Sequence, residues 1–260
     1  MLNKFPRTHH LFESKKGRMS REDLLMDEKE SEPFYKNTIT IEEKIDGSNI
    51  GFSLDPKSLE VRAQNRSHFV TSQSHSQFKL LDSWIEEHKN LYSILHPHYT
   101  LFGEWMAAKH SIFYNHLPGL FIAFDIYDNL NKRYLSVMER NARLKGTSIP
   151  IVRCVARGLF EAEDDVKALL DQESVYTSGP HSTPLEGVYI RVDDDVNGCL
   201  LHRAKVVRSD FIQTVDDSSH WSTQVVVKNV VDFEWKCRID YGDANDDELL
   251  HNVIPPIHSV

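Results

Sequence analysis

The chain is predicted to fold as an α+β domain of antiparallel strands flanked by helices. Three observations carry that expectation. Period-2 segments at 38–44, 49–54 and 59–64 are separated only by short turns built on Asp46-Gly47 and Asp55-Pro56, and gaps of that length suit antiparallel neighbours. A further pair, 186–192 and 199–207, brackets the polar stretch 193–198. The helical patterns between these strands are short and apolar on one side only.

Residues 1–21 hold the bases Lys4, Arg7, Lys15, Lys16, Arg18 and Arg21 against one acid, Glu13, and 22–32 is acidic with Lys29 its only base. An irregular arm with a short helix near 21–26 is expected there. In the strand 38–44, Ile39 and Ile41 alternate with Thr38 and Thr40, the pattern of a half-buried strand. Asp46-Gly47 breaks it, because Gly accepts a positive φ in a tight turn. The polar run 65–77 reads as a loop. Residues 78–91 read as one amphipathic helix, with Leu80, Leu81, Trp84 and Ile85 on a shared face. Strands are expected at 99–103, 120–127 and 150–155, and helices at 137–145 and 161–172, the latter with Ala162, Val166, Leu169 and Leu170 inward. Residues 178–184 are turn-rich. A helix is expected from 209, followed by a polar, acidic tail.

The chain has 260 residues, enough for one domain with a small appendage. No apolar run approaches the roughly 20 residues that span a bilayer, and the N-terminus lacks the apolar core of a secretory signal. Only Cys154, Cys199 and Cys237 occur, without a Cys-x-x-Cys pair, which suits a reducing compartment and gives no zinc signature. An intracellular, cytoplasmic protein is therefore expected. The net charge of −9 argues against a surface coated in base for nucleic acid. A local basic cleft remains compatible with it, since the field at a site depends on nearby charges.

Lys44 ends a strand just before a sharp turn, with Asp46 two residues on. A lysine becomes a nucleophile when neighbouring cations or desolvation lower its pKa. Alone it is equally a surface lysine beside a turn. Glu104 closes the strand at 99–103, Glu186 opens that at 186–192, Arg203 and Lys205 alternate on 199–207, and Arg66 lies just past the third strand. Singly these are solvated charges or ion-pair partners. Together they supply what nucleotide transfer to a lysine needs: cations for phosphate, one carboxylate for a divalent metal and another for ribose. His68, His75, His110 and His116 show no recurring ligand spacing and read as solvated loop histidines.

Taken in order, these segments resemble the RNA ligase branch of the covalent nucleotidyltransferases. Lys44-Ile45-Asp46-Gly47 is similar to the family's nucleotidyl-acceptor KxDG. Leu101-Phe102-Gly103-Glu104-Trp105 resembles its third motif, 121–126 the strand with an adenine-stacking aromatic, Leu185-Glu186-Gly187-Val188-Tyr189-Ile190 the EGhhh motif, and 203–208 the fifth, where Arg203 replaces a common lysine. Flanking stretches at 5–11, 64–69, 108–114 and 219–221 extend the likeness over roughly 1–230.

The resemblance implies an ATP-grasp-like adenylyltransferase domain over 38–235, with an N-terminal arm at 1–37, a tail at 236–260 and no separate OB-fold. It implies an ATP-dependent RNA ligase using Mg2+ or Mn2+. Lys44 would attack the α-phosphate, and Lys205 and Arg203 would contact phosphate, the charge of Lys205 helping to keep Lys44 partly unprotonated. Arg66 would bind ribose or phosphate, Glu104 the ribose hydroxyls, Glu186 the metal directly or through water. Phe124 would stack on adenine, and Glu43 would help place it through its backbone. Asp46 would either shape the turn or orient Lys44 and a metal. Lys109-His110 would meet RNA or triphosphate, and the basic arm would touch nucleic acid or cap the domain. The implied partners are RNA ends bearing a 5′-phosphate and a 3′-hydroxyl, with end recognition from the core, the arm or a repair partner protein. Alternatives are a DNA-end or nick ligase, a non-catalytic ATP-binding module, or AMP transfer to a protein or metabolite.

Overall fold

The computed structural model describes residues 2–14, 24–208 and 226–232. Among the described residues ten strands form two antiparallel sheets. The first has the order β10 (Cys199–Val207), β9 (Gly187–Asp194), β1 (Ile39–Lys44) and β8 (Cys154–Gly158). The second runs β4 (Phe69–Val70), β3 (Val61–Gln64), β2 (Ser48–Leu54), β5 (Tyr99–Trp105), β6 (Phe121–Asp128) and β7 (Arg133–Tyr134). β1 and β2 are consecutive in the chain yet lie in different sheets. The turn between them hands the chain across the seam and closes no hairpin, so Lys44 sits where the two sheets meet. Nor does Gly47 have a positive φ. Glycine is needed there because a Cβ would meet Met106 Sδ at 2.6 Å and the Trp105 carbonyl at 2.9 Å.

Each sheet buries one face under helices. Ile50, Phe52, Leu101, Trp105 and Phe121 pack against Leu81, Trp84, Leu91 and Leu144, residues of α2 (Leu81–Glu87), α3 (Leu91–Leu95) and α4 (Val137–Leu144). Ile39, Ile41, Val188, Ile190, Ala204 and Val206 pack against Phe34 and Val166, from α1 (Glu28–Lys36) and α5 (Glu163–Leu169). A third, smaller cluster around Ile45, Met106, Tyr114 and Tyr176 fills the seam. The period-2 alternation then turns Glu42, Lys44, Tyr189, Arg203 and Lys205 to the opposite face of the first sheet, and Glu104 to the opposite face of the second.

Buried ion pairs join these polar faces. Arg140 on α4 donates to both carboxylate oxygens of Glu42, at 2.6 and 3.1 Å, and to the Phe124 carbonyl. Arg191 pairs with Asp125, which also accepts from the Tyr189 hydroxyl at 3.0 Å. Breaking such a pair strands an uncompensated buried charge. Arg140→Ala is therefore expected to lower unfolding stability by about 3–5 kcal/mol, read from denaturant midpoints; a loss below 1 kcal/mol would contradict the assignment.

Several elements differ from the sequence expectation. The arm helix lies at Glu28–Lys36, capped by an Asp27–Glu30 capping box; Leu25 forms an isolated bridge to His10 instead of a helical turn, and 21–23 lie outside the described residues. Residues 78–91 are not one helix: a 3-10 turn at Ser76–Phe78 precedes α2, and α3 begins after a break at His88. Leu80, at the α2 N-cap, is 44% exposed rather than inward. Ala162 is likewise an exposed cap, with Val166 and Leu170 buried. The strand expected at 150–155 starts only at Cys154, and Ile151 makes an isolated bridge to Ala123. Short β4 lies inside the polar run 65–77. The helix expected from 209, the tail at 236–260 and Cys237 lie outside the described residues.

The arm is anchored. Lys205 N–H donates to the His9 carbonyl, and Leu11 N–H donates to the Lys205 carbonyl, both at 2.9 Å. Phe5, Leu11 and Phe12 are buried. Residues 2–14 thus cap the domain, extending it alongside β10.

Candidate active site

Lys44 is the last residue of β1, opposite Gly187 of β9. Gly187 has no room for a side chain: a Cβ would lie 2.4 Å from the Val206 carbonyl. That closeness draws β10 in and sets Lys205 opposite Tyr189. Lys44 Nζ donates to Glu186 Oε1 in an ion pair of which Glu186 is almost wholly buried. Burial alone would push the Lys44 pKa down, but Glu186, then Glu104 and Asp46, outweigh it and raise the pKa above its ordinary value. The ligand-free protein therefore holds Lys44 as an ammonium, the reverse of the partly unprotonated lysine expected from a neighbouring Lys205.

Asp46 belongs to both the turn and the site. Its Oδ2 accepts the Ser111 N–H at 2.7 Å and the Ile112 N–H at 3.3 Å, while its own N–H donates to the Tyr114 hydroxyl at 2.9 Å. Glu104 stands on β5 opposite Asn49. Its field partners are Lys44, Arg66, Glu186 and Asp46. Burial pushes its carboxyl up to about 8. Arg66 is exposed just past β3. Lys205 acts electrostatically on Glu186. Lys44, Asp46, Arg66, Glu104, Glu186 and Lys205 thus form one charged constellation across the seam.

Three expected residues sit differently. Phe124 lies at a register shift between β5 and β6: Phe102 pairs with Asp125 and Gly103 with Ala123, so Phe124 is the extra residue of a bulge, a device that re-aims a side chain. It is half-buried, with Phe5 at 5.1 Å and Tyr189 at 6.4 Å. Arg203 lies over the Tyr134 and Phe5 rings, at 4.2 and 5.2 Å, so it belongs to this aromatic wall rather than to the Lys44 cluster. Its Nη1 is buried and makes no hydrogen bond. The Glu43 side chain leaves Lys44 for the Ser174 hydroxyl, and its amide is committed to the Arg153 carbonyl at 2.9 Å. His110 lies 3.2 Å from Gln77 Oε1 and 3.4 Å from Ser48 Oγ. His116 pairs with Asp232. Lys109 is exposed.

A sequence model of the RNA ligase family matches residues 37–207. The chain belongs to the RNA ligase family. No curated protein matches it. Among solved structures it is similar to a ligand-free mutant of a Naegleria gruberi RNA ligase, at 19% identity and a TM-score of 0.54, over 72% of this chain and 54% of that one. It is also similar to the Naegleria gruberi RNA ligase with pyrophosphate, at 18% identity and a TM-score of 0.55, over 82% of this chain and 64% of the other. A mutant of that ligase carrying AMP and Mn is 16% identical, with a TM-score of 0.52. Likeness at this identity is a likeness of fold. The chain spans between about half and two thirds of the length of these structures.

In this RNA ligase family member several residues that hold the site in shape were given no role by the sequence: Glu42, Arg140, Arg191, Asp125 and Tyr114, although the last two lie inside the family-like stretches 121–126 and 108–114. A signal existed for two of them: Asp125 and Arg191 are charges inside the apolar runs 121–127 and 188–192, and charges so placed are buried only when paired.

The buried carboxyls set a pH dependence of stability. Burial pushes Glu104 up to about 8 and Glu43 up to about 7, both above the unfolded value of about 4.3. Between those limits the native state keeps protons that the unfolded chain has released, so unfolding free energy falls as pH rises. The Tm of the ligand-free protein should decline from pH 5 to 8, and Glu104→Gln should flatten the upper part of that decline. A flat profile in the parent protein would contradict it.

Proposed function

We propose that this chain is an ATP-dependent RNA ligase, working through an ATP-grasp-like adenylyltransferase domain over 38–235 in which Lys44 becomes covalently adenylylated. The observation that carries the reading is the placement of Lys44 at the seam, ion-paired to buried Glu186 with Asp46, Glu104 and Lys205 around it. A solvated lysine would have no use for that setting.

In the proposed reaction Lys44 Nζ, once it has lost its proton, bonds to the α-phosphorus of ATP. The bond from that phosphorus to the bridging oxygen breaks, and pyrophosphate leaves with the electron pair. Positioning and charge neutralisation supply most of the catalysis. Lys205 and the unsatisfied Arg203 Nη1 are suited to phosphate oxygens. Glu104 is placed for the ribose hydroxyls and Arg66 for ribose or phosphate. Phe124, aimed by its bulge, is suited to the base. Glu43 acts by fixing β1 against Arg153 and Ser174.

A divalent metal fits this donor set. Glu186 Oε2 and Glu104 Oε2 are buried and accept no hydrogen bond. Carboxylate oxygens suit Mg2+ or Mn2+. Among the described residues no group of three or more His, Cys, Asp or Glu side chains gathers as a metal site, so Glu186 would share the ion with the phosphates, as Mg2+ commonly is. When bound, the ion neutralises charge on the phosphate oxygens.

AMP would then pass to a 5′-phosphate RNA end, and attack by a 3′-hydroxyl would seal the strand and release AMP. The test is α-labelled ATP with Mn2+ or Mg2+, followed by addition of RNA or DNA ends. An acid-labile label on the protein, discharged by 5′-phosphorylated RNA with a strand sealed, supports the reading. No adduct under either metal refutes it, and discharge onto DNA ends alone would favour a DNA ligase. Among the described residues no helix is long and apolar enough to cross a membrane. Cys154 and Cys199 are free thiols, which accords with a reducing, intracellular setting.

A further inference from the structure

Asp46 is held by the segment after β5, which supplies the Ser111 and Ile112 amides and the Tyr114 hydroxyl. The same segment leaves no room for a Cβ on Gly47, through Met106 and Trp105. So the turn that aims Lys44 is as well placed as residues 105–114, and no better.

What fixes those residues lies far away in the chain. Asn229 is 8% exposed, and its side chain satisfies three backbone groups of that segment. Nδ2 donates to the Met106 carbonyl at 2.9 Å and to the Ala108 carbonyl at 3.1 Å, and Oδ1 accepts the Tyr114 N–H at 3.0 Å. An amide offers two donors to the carbonyls and an acceptor to the N–H, whereas a small hydroxyl side chain has only one donor. Backbone bonds on either side complete the clamp: Lys109 N–H to the Val227 carbonyl at 2.8 Å and Val230 N–H to the Tyr114 carbonyl at 2.9 Å.

We propose that Asn229 is a positioning residue for the Lys44 turn, acting through Tyr114 and Asp46, and that residues 226–232, beyond the stretch matched to the family, are part of the active-site framework. The role given to Lys44 rests on the proposed adenylyltransfer; the mechanical link from Asn229 to Asp46 does not.

The test pairs kinetics with hydrogen exchange in the full chain. Asn229→Ala should lower the rate of lysyl-AMP formation at saturating ATP by about 10²-fold, the scale of a misplaced reacting group, with KM for ATP unchanged. Tyr114→Phe removes only the hydroxyl that receives the Asp46 N–H. It should lower the rate in the same way, and the double variant should be no worse than the poorer single one. Lys89→Ala, at an exposed residue between α2 and α3, should behave as the parent. In Asn229→Ala, peptides covering 45–48 and 109–114 should exchange amide hydrogen faster, with the sheets unchanged.

If Asn229→Ala does not fold, Tyr114→Phe carries both readouts. A rate per folded molecule equal to the parent's, a loss confined to KM, or additive single effects would overturn the proposal. If the parent forms no adduct, the adenylyltransfer reading fails. Unchanged exchange at 45–48 in the variant would then overturn the positioning link by itself.

Discussion

Lys44→Ala should yield a folded protein that forms no adduct with α-labelled ATP, a loss of about 10³-fold or more, the scale for deleting a covalent nucleophile. The alanine leaves Glu186 buried without its cation, so some stability will be lost as well. Lys44→Arg separates the two effects. Arginine keeps a positive charge beside Glu186 but is never deprotonated at working pH. It should restore stability and leave adenylylation at the level of Lys44→Ala. Adduct formation by the arginine variant at a tenth of the parent rate or better would make Lys44 an electrostatic residue and remove the proposed intermediate.

Glu186→Ala should lower adenylylation by about 10²- to 10³-fold, the scale for losing one preorganised electrostatic partner of the reacting group. Two consequences oppose each other. Glu186 is the strongest of the carboxylates raising the Lys44 pKa, so its removal frees more of the amine at neutral pH. It also removes a buried oxygen that accepts no hydrogen bond and suits a divalent ion. Loss of that charge neutralisation is worth several kcal/mol and should win. The pH profile exposes both. In the parent, with Lys44 raised above its ordinary value of about 10.4, the rate should climb with pH from 6 to 9. In the variant that climb should begin at lower pH, while the Mn2+ needed for half-maximal rate rises. An unchanged metal requirement would refute the metal role, and an unchanged profile would refute the coupling of Glu186 to Lys44.

Much of the fold was legible because it obeys local rules. The Ile39–Ile41 alternation, the paired strands around 193–198 and the inward Val166 and Leu170 of the helix expected at 161–172 each need only neighbours a few residues away. Where local rules failed, a tertiary partner had outvoted them. The apolar pattern over 78–91 is continuous, but packing against Phe52 and Trp105 goes with a chain that turns at His88. Leu80 looks inward on a helical wheel and is exposed, because the helix starts one residue later.

The sequence by itself determined which charged residues there are and how they are spaced: a lysine before a sharp turn, carboxylates at strand ends and alternating cations, since residue type and spacing are local properties. It could not determine that Asp46-Gly47 joins two sheets rather than two paired strands, because sheet membership depends on which distant strand offers its edge. Only the tertiary structure decided that Lys44 meets Glu186 as an ammonium, that Phe124 is aimed by a bulge, and that Arg203 joins an aromatic wall. It also decided that the turn holding Asp46 is fixed by Asn229. Each of these is a contact between segments far apart in the chain, or a shift of one position in register, and such contacts leave no period in the sequence.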